Sequence, residues 1–245
     1  MYQALYRKWR PQTFADVIGQ QHITDTLRAQ LQSGRLSHAY LFTGTRGTGK
    51  TTCAKILARA VNCEHPVNGD PCNECAACRG ILDGSVLDVT EIDAASNNGV
   101  DNIRDLRDET RYTPAQVKKR VFIIDEVHML SDRRVQRAAR KHSRSRPSTC
   151  CSSSLPTELH KVPATILSRC QRFDFRRIGA EDIARRLLDV AAGEGIELTE
   201  GAARPDRPPG RRRDARRAVH ARPCGGGRRR RRGDGHGGAR RDGAG

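Results

Sequence analysis

The stretch Gly44-Thr45-Arg46-Gly47-Thr48-Gly49-Lys50-Thr51-Thr52 has the composition of a phosphate cradle. It fits G-x-x-x-x-G-K-[ST] from Gly44 to Thr51: small residues let backbone N–H groups close around a β-phosphate, and a helix N-terminus adds its positive dipole end. Lys50 is placed to neutralise β/γ oxygens and the Thr51 hydroxyl to ligate Mg2+. Further on, "RVFIIDEVHML" ends an apolar run in Asp125-Glu126. Asp125 suits the Mg2+ shell, and Glu126 can polarise an attacking water. A third group is Cys63, Cys72, Cys75 and Cys78, spaced C-x8-C-x2-C-x2-C. Four thiolates suit a closed tetrahedral Zn2+ site with no catalytic position left open. An iron–sulfur cluster is the chemical competitor, and His65 is a spare zinc candidate. Cys53 and Cys170 read as ordinary buried thiols.

These groups need particular elements to hold them. Ala39 to Thr43 reads as a strand before the glycine-rich turn, with a helix starting near Lys50. Val121 to Ile124 is a continuous apolar run, as in a strand buried on both faces of a parallel sheet. The Asp125-Glu126 pair falls at its C-terminal end, where such sheets bind ligands. Ser85 to Asp93 is strand-like and Val100 to Arg111 helix-like. The alternation predicts an α/β fold with a doubly wound parallel sheet flanked by helices.

The formal charge of +17 suggests nucleic-acid binding until its distribution is examined. Residues 132–156 hold 7 Lys/Arg against 1 Asp/Glu and residues 201–245 hold 15 against 4, whereas 1–131 and 157–200 are nearly neutral. The two basic segments have almost no large apolar residues (Val135, Leu155 and Val219), so neither can bury a core of its own. The tail is expected to be disordered. No apolar run reaches membrane-spanning length and no signal-peptide core precedes the domain, which predicts a cytoplasmic protein without a membrane partner. In that compartment the nine cysteines point to metal ligation or buried thiols rather than disulfides.

"LYRKWRPQTFADVIGQ", "GTRGTGKTT", the four-cysteine knuckle, "EIDAASNNGVD", "IIDEVHML" and "HKVPATILSRCQRFDF" together resemble the gamma/tau family of bacterial DNA polymerase III subunits. The resemblance covers residues 1–131 and about 157–200. It implies a P-loop AAA+ domain over 1–178 with an inserted zinc knuckle at 63–78, and the start of a helical lid at 179–200. It also implies an ATPase, using ATP and Mg2+, within a DNA-directed DNA polymerase holoenzyme. Such a motor loads a sliding clamp onto primer–template DNA, its partners being the other clamp-loader subunits, the clamp and the replicative polymerase. Arg169 matches the family's arginine finger, which acts in trans; without the resemblance a surface salt bridge is the simpler reading. Thr157 falls at the sensor-1 threonine. The "YRKWRP" segment, with Val17 and Ile18, is similar to the part that packs around adenine.

Residues 132–156 depart from this pattern. The family continues from "HML" with a helix and then a buried strand delivering sensor 1, and the sequence here offers neither. Shifted reading frames do. "STCCSSSLP" is compatible with codons that reread as NVLFVFAT, "KHSRSRP" with KTLEEPP and "DRRVQRAAR" with TAAFNALL. The rereading needs one residue fewer than the 25 present between Ser131 and Thr157, which equals three inserted bases. The tail rereads similarly, "DARRAVHARP" as MRDALSTLDQ. Residues 201–245 are thus expected to be out of frame, with only Ala180 to Gly193 a genuine lid helix. Two rival readings follow: a non-functional fragment retaining phosphate-loop and zinc-binding sequence, and a basic nucleic-acid-binding module.

Overall fold

The computed structural model describes residues 4–94, 96, 113–126, 148–152 and 167–203. These fall within one compact unit, Met1–Pro205. The element order is α1 (Leu5–Lys8), α2 (Gln21–Ser33), β1 (Ala39–Thr43), α3 (Lys50–Asn62), α4 (Ala76–Asp83), β2 (Val89–Asp93), β3 (Val121–Asp125), β4 (Ser148–Ser152), β5 (Gln171–Asp174), α5 (Ala180–Gly193) and α6 (Glu200–Ala203). The five strands form one sheet, ordered β2-β3-β4-β1-β5, in which every pairing is parallel. The expected helix at 100–111 lies outside the described residues.

Contiguous burial identifies the sheet's interior. Tyr40, Leu41, Phe42 and Thr43 are all buried in β1, as are Val121, Phe122 and Ile123 in β3. A strand covered on one face would alternate instead. Helix α3 supplies much of the cover: Cys53, Ala54, Ile56, Leu57, Ala58 and Ala60 are all buried. Helix α2 buries Ile23, Thr24 and Leu27, a stripe at helical spacing, and stops at Gly34. Phe173 and Phe175 close the core beside Phe42, with centroids at 5.9 and 5.3 Å in edge-to-face contact.

One expectation requires correction. The sequence of residues 132–156 suggests no strand, yet Ser148–Ser152 occupies the position between β3 and β1. Its register runs Ala39↔Thr149 to Phe42↔Ser152 on one side and Val121↔Ser148 to Ile124↔Cys151 on the other. Parallel ladders are made by backbone groups, which Ser-Thr-Cys-Cys-Ser can supply as well as Val or Leu. The composition is nonetheless foreign to an interior strand. The strand expected from Ser85 is also shorter, beginning at Val89, because Asp88 is used to hold the chain's return to β3.

Asp88 is 3% exposed. It accepts N–H bonds from Ala115 (2.8 Å) and Gln116 (2.9 Å) and pairs with the Arg120 guanidinium at 2.6 Å. Burial alone would raise its carboxyl, but the Gln116 N–H, Arg120 and the Ala115 N–H together hold it below its ordinary value. Because the folded value is the depressed one, this stabilisation is complete above the unfolded value of about 3.9 and is lost as pH falls through the folded one. Asp88→Asn should cost about 3–5 kcal/mol by removing the buried carboxylate of the pair with Arg120. Urea unfolding at neutral pH measures this, and the variant's penalty should shrink towards pH 3.

Candidate functional site

The phosphate loop joins β1 to α3, and its conformation is set by close approach. A Cβ at Gly44, where φ is 144°, would lie 2.6 Å from the Phe175 carbonyl oxygen, so no larger residue fits without moving β5's exit. Gly49 precedes α3 with φ at 95°, and the helix opens with Lys50 and Thr51 facing the loop. Lys50 is 6% exposed and donates through Nζ to the carbonyls of Gly44 (3.0 Å) and Thr45 (2.7 Å). Burial pulls its ammonium below the ordinary lysine value, partly opposed by the Asp125 charge. Thr48 Oγ1 donates to the Thr45 carbonyl at 2.8 Å, bracing the loop.

From the adjacent part of the sheet, β3 brings its terminal acidic pair to the same place. The Thr51 hydroxyl donates to Asp125 Oδ2 at 3.0 Å, although 74 residues separate them. The Glu126 N–H donates to Asp125 Oδ1 at 3.0 Å, and Glu126 adopts φ 51°, left-handed for a non-glycine residue. A cleft of about 320 Å3 is lined by Arg46, Gly47, Gly49, Lys50, Thr51, Thr52, Asp125 and Glu126, and also by Arg10.

Arg10 was legible only as part of "YRKWRP". Its Nε donates to Thr52 Oγ1 at 3.2 Å, bringing the N-terminal segment onto the phosphate helix. One residue earlier, Trp9 donates to Glu194 at 2.6 Å, Lys8 pairs with Glu194 at 2.7 Å, and Arg186 donates to the Trp9 carbonyl at 3.0 Å. A Cβ on Gly193 would collide with the Trp9 ring, so a larger residue there has to displace the ring. The segment therefore straps α5 to the phosphate helix. Val17 lies in the core, and Ile18 is half-buried.

The four cysteine sulfurs lie within 4.8 Å of one another. A tetrahedron with bonds of about 2.3 Å has edges of about 3.8 Å, so the donor set fits zinc with small adjustment. Backbone N–H groups already point at sulfur: Cys72 to Cys63 (3.3 Å), Cys75 to Cys72 (3.3 Å) and Cys78 to Cys75 (3.4 Å). The N–H groups of Glu74 and Cys75 pull the Cys72 thiol down to about 6, while burial raises Cys63 and Cys78. Exposed His65 is not among the clustered ligands. Cys53 is fully buried and pushed up to about 12, whereas Cys170 is half-buried, its thiol raised by burial to about 11.

Arg169 is exposed in the turn before β5. Register pairs Tyr40 with Gln171, so Arg169, before the N-terminal end of β5, lies at the opposite end of the strands from Gly44, which follows the C-terminal end of β1. Among the described residues no carboxylate pairs with it. Thr157 lies outside the described residues, as does nearly all of 201–245.

The family model described as "DNA polymerase III, delta subunit" matches residues 19–138. The DNA polymerase III subunit tau of Bacillus subtilis is 55% identical over 201 residues, 82% of this chain. The tau subunit of Escherichia coli is 46% identical over 195 residues, 80% of this chain. The chain belongs to the DNA polymerase III gamma/tau family. It spans 36% and 30% of the length of those two relatives. The gamma subunit of Buchnera aphidicola subsp. Acyrthosiphon pisum is 42% identical, and 55% of it is covered. Among solved structures, the Thermotoga maritima RuvB Holliday junction branch migration motor superposes with a TM-score of 0.56. That match has 18% identity and covers 80% of this chain and 58% of that one. At that identity the likeness establishes the fold alone: a P-loop α/β domain with a parallel sheet flanked by helices. Gamma/tau relatives are bacterial replication proteins, and no described helix of this family member is long and apolar enough to cross a membrane.

Proposed function

We propose that the chain is the ATP-binding and ATP-hydrolysing motor of a clamp loader, opening a ring clamp and placing it on primer–template DNA. The observation that carries this is the 3.0 Å contact between Thr51 and Asp125, with Glu126 beside it. A hydroxyl and a carboxylate, both Mg2+ ligands by type, meet in the cleft beside the phosphate loop. In this reading residues 44–52 hold the triphosphate, and Lys50 exchanges its carbonyl partners for phosphate oxygens. Thr51 and Asp125 hold Mg2+, which supplies charge neutralisation on the phosphates. Glu126 orients the attacking water, and Thr157 serves as sensor. Cys63, Cys72, Cys75 and Cys78 hold structural Zn2+, and α5 begins the lid. The partners are further clamp-loader subunits, the clamp, the replicative polymerase and primed DNA.

The position of Arg169 supports its action in a neighbour's site, since its own cradle lies at the other end of the sheet. The test mixes two inactive variants within one assembly. Lys50→Ala and Arg169→Ala should each lower ATP turnover by about 10^3-fold or more. Combined, they should recover a fraction of wild-type turnover, because one interface joins an intact Lys50 to an intact Arg169. No recovery across mixing ratios would exclude action in trans.

A second reading is favoured by the polar composition of β4. On it, residues 132–156 are the product of a shifted frame, and the chain as written is weakened at the centre of its sheet.

A further inference from the structure

Arg59 is a buried cation with no anionic partner among the described residues. It lies in the last turn of α3, 3% exposed. Nη1 donates to Gln12 Oε1 at 2.6 Å and Nη2 to the Gln12 carbonyl at 3.0 Å, both neutral acceptors. Its Nε is fully buried and makes no hydrogen bond. Among the described residues the other such atom is Asn73 Oδ1, within the cysteine knuckle, and Asn73 Nδ2 also donates to the Gln12 carbonyl (3.4 Å). A buried guanidinium held only by an amide and a peptide is an incomplete arrangement, since buried charges are ordinarily paired.

The missing charge is available next door. Cys63 follows α3 directly, and Cys78 lies on α4, which packs against α3. Four thiolates around Zn2+ carry a net charge of −2 in a low-dielectric setting. Burial pulls the Arg59 guanidinium down, the Cys78 sulfur acts in the opposite direction, and Arg10 adds to the pull of burial.

Resting on the zinc reading of the four cysteines, we propose that Arg59 is the positioning residue of that site. Nε–H supplies charge compensation to the metal-bound sulfurs, while the two remaining nitrogens tie Gln12, and with it the N-terminal strap, to the knuckle. Metal occupancy then bears on the strap that carries Arg10 onto Thr52. Asp70 reinforces the same link, accepting the Phe14 N–H at 2.6 Å and pairing with Arg28 at 3.0 Å.

The test is zinc affinity of the full chain, measured by competition with a chromogenic chelator for wild type, Arg59→Lys and Arg59→Met. Loss of an outer partner of a metal ligand lowers affinity by about 10–100-fold. Arg59→Met should show that loss, and Arg59→Lys, which keeps the charge, should recover part of it. Equal weakening in both would assign Arg59 a packing role, and affinities within twofold of wild type would remove it from the site. A wild-type chain that binds no zinc overturns the zinc reading itself, and this one with it. Independently of any variant's folding, the Arg59 Nε–H resonance of the 15N-arginine-labelled wild-type chain should shift and exchange more slowly on adding one equivalent of zinc, and revert with chelator. An unchanged resonance with metal bound counts against the proposal.

Discussion

A chain carrying the frame-restored segment in place of residues 132–156 unfolds at a urea concentration about 2 M higher than the chain as written. The expectation follows from where β4 sits. It pairs on both sides, with β3 and with β1, and the contiguous burial of those neighbours marks this part of the sheet as covered on both faces. The restored sequence places Val, Leu, Phe and Val where the chain has Thr, Cys, Cys and Ser. Each buried large apolar side chain stabilises by about 1.5–3 kcal/mol. Four of them, discounted for residual burial in the unfolded chain, contribute on the order of 5 kcal/mol. That is comparable with the total stability of an ordinary domain, about 5–15 kcal/mol. With a urea slope of about 2–3 kcal/mol/M the midpoint moves by about 2 M. The exchange replaces all of residues 132–156, and the four positions within β4 carry this expectation. A midpoint shift below about 0.3 M would show that the literal strand is not deficient, and the frame reading would lose its structural support.

The same strand shows which parts of the molecule were legible in advance. Strand β1 and helix α5 have the bounds that the sequence predicts, Ala39–Thr43 and Ala180–Gly193, because apolar runs and turn residues mark both. The phosphate loop and the acidic pair were legible because their chemistry fixes residue type and spacing locally. Strand β4 was not, since a backbone ladder leaves no mark in Ser-Thr-Cys-Cys-Ser. Contacts between distant, individually ordinary residues were equally silent: Trp9 with Glu194, Asp88 with Arg120, Arg10 with Thr52. Arg59 is the sharpest instance. A single arginine on a helix reads as a solvated charge, and only its burial and its unpartnered Nε reveal it as part of another site. The four cysteines were legible as a set, whereas the residue that completes their charge was not.

Glu126→Gln should lower ATP turnover by about 10^2–10^4-fold while leaving nucleotide affinity within about threefold. Glutamine keeps the length, shape and backbone of the residue, including the Glu126 N–H bond to Asp125 Oδ1 at 3.0 Å. It cannot carry the negative charge that polarises water. The residues expected to hold nucleotide and Mg2+, Lys50, Thr51 and Asp125, are untouched, so binding persists while hydrolysis stops. Single-turnover hydrolysis, alongside equilibrium binding of a fluorescent ATP analogue, separates the two. A loss below about tenfold would remove Glu126 from the chemistry and leave only its geometry to explain. That geometry supplies an internal control. A non-glycine residue at φ 51° stores about 1 kcal/mol of backbone strain. Glu126→Gly relieves that strain and should keep its urea stability within about 1 kcal/mol of wild type, while being as inactive as Glu126→Gln. Stability retained and turnover lost at one position is the pattern expected when the strain serves to aim a carboxylate into the cleft. Replacing an ordinary surface glutamate would leave turnover as well as stability unchanged.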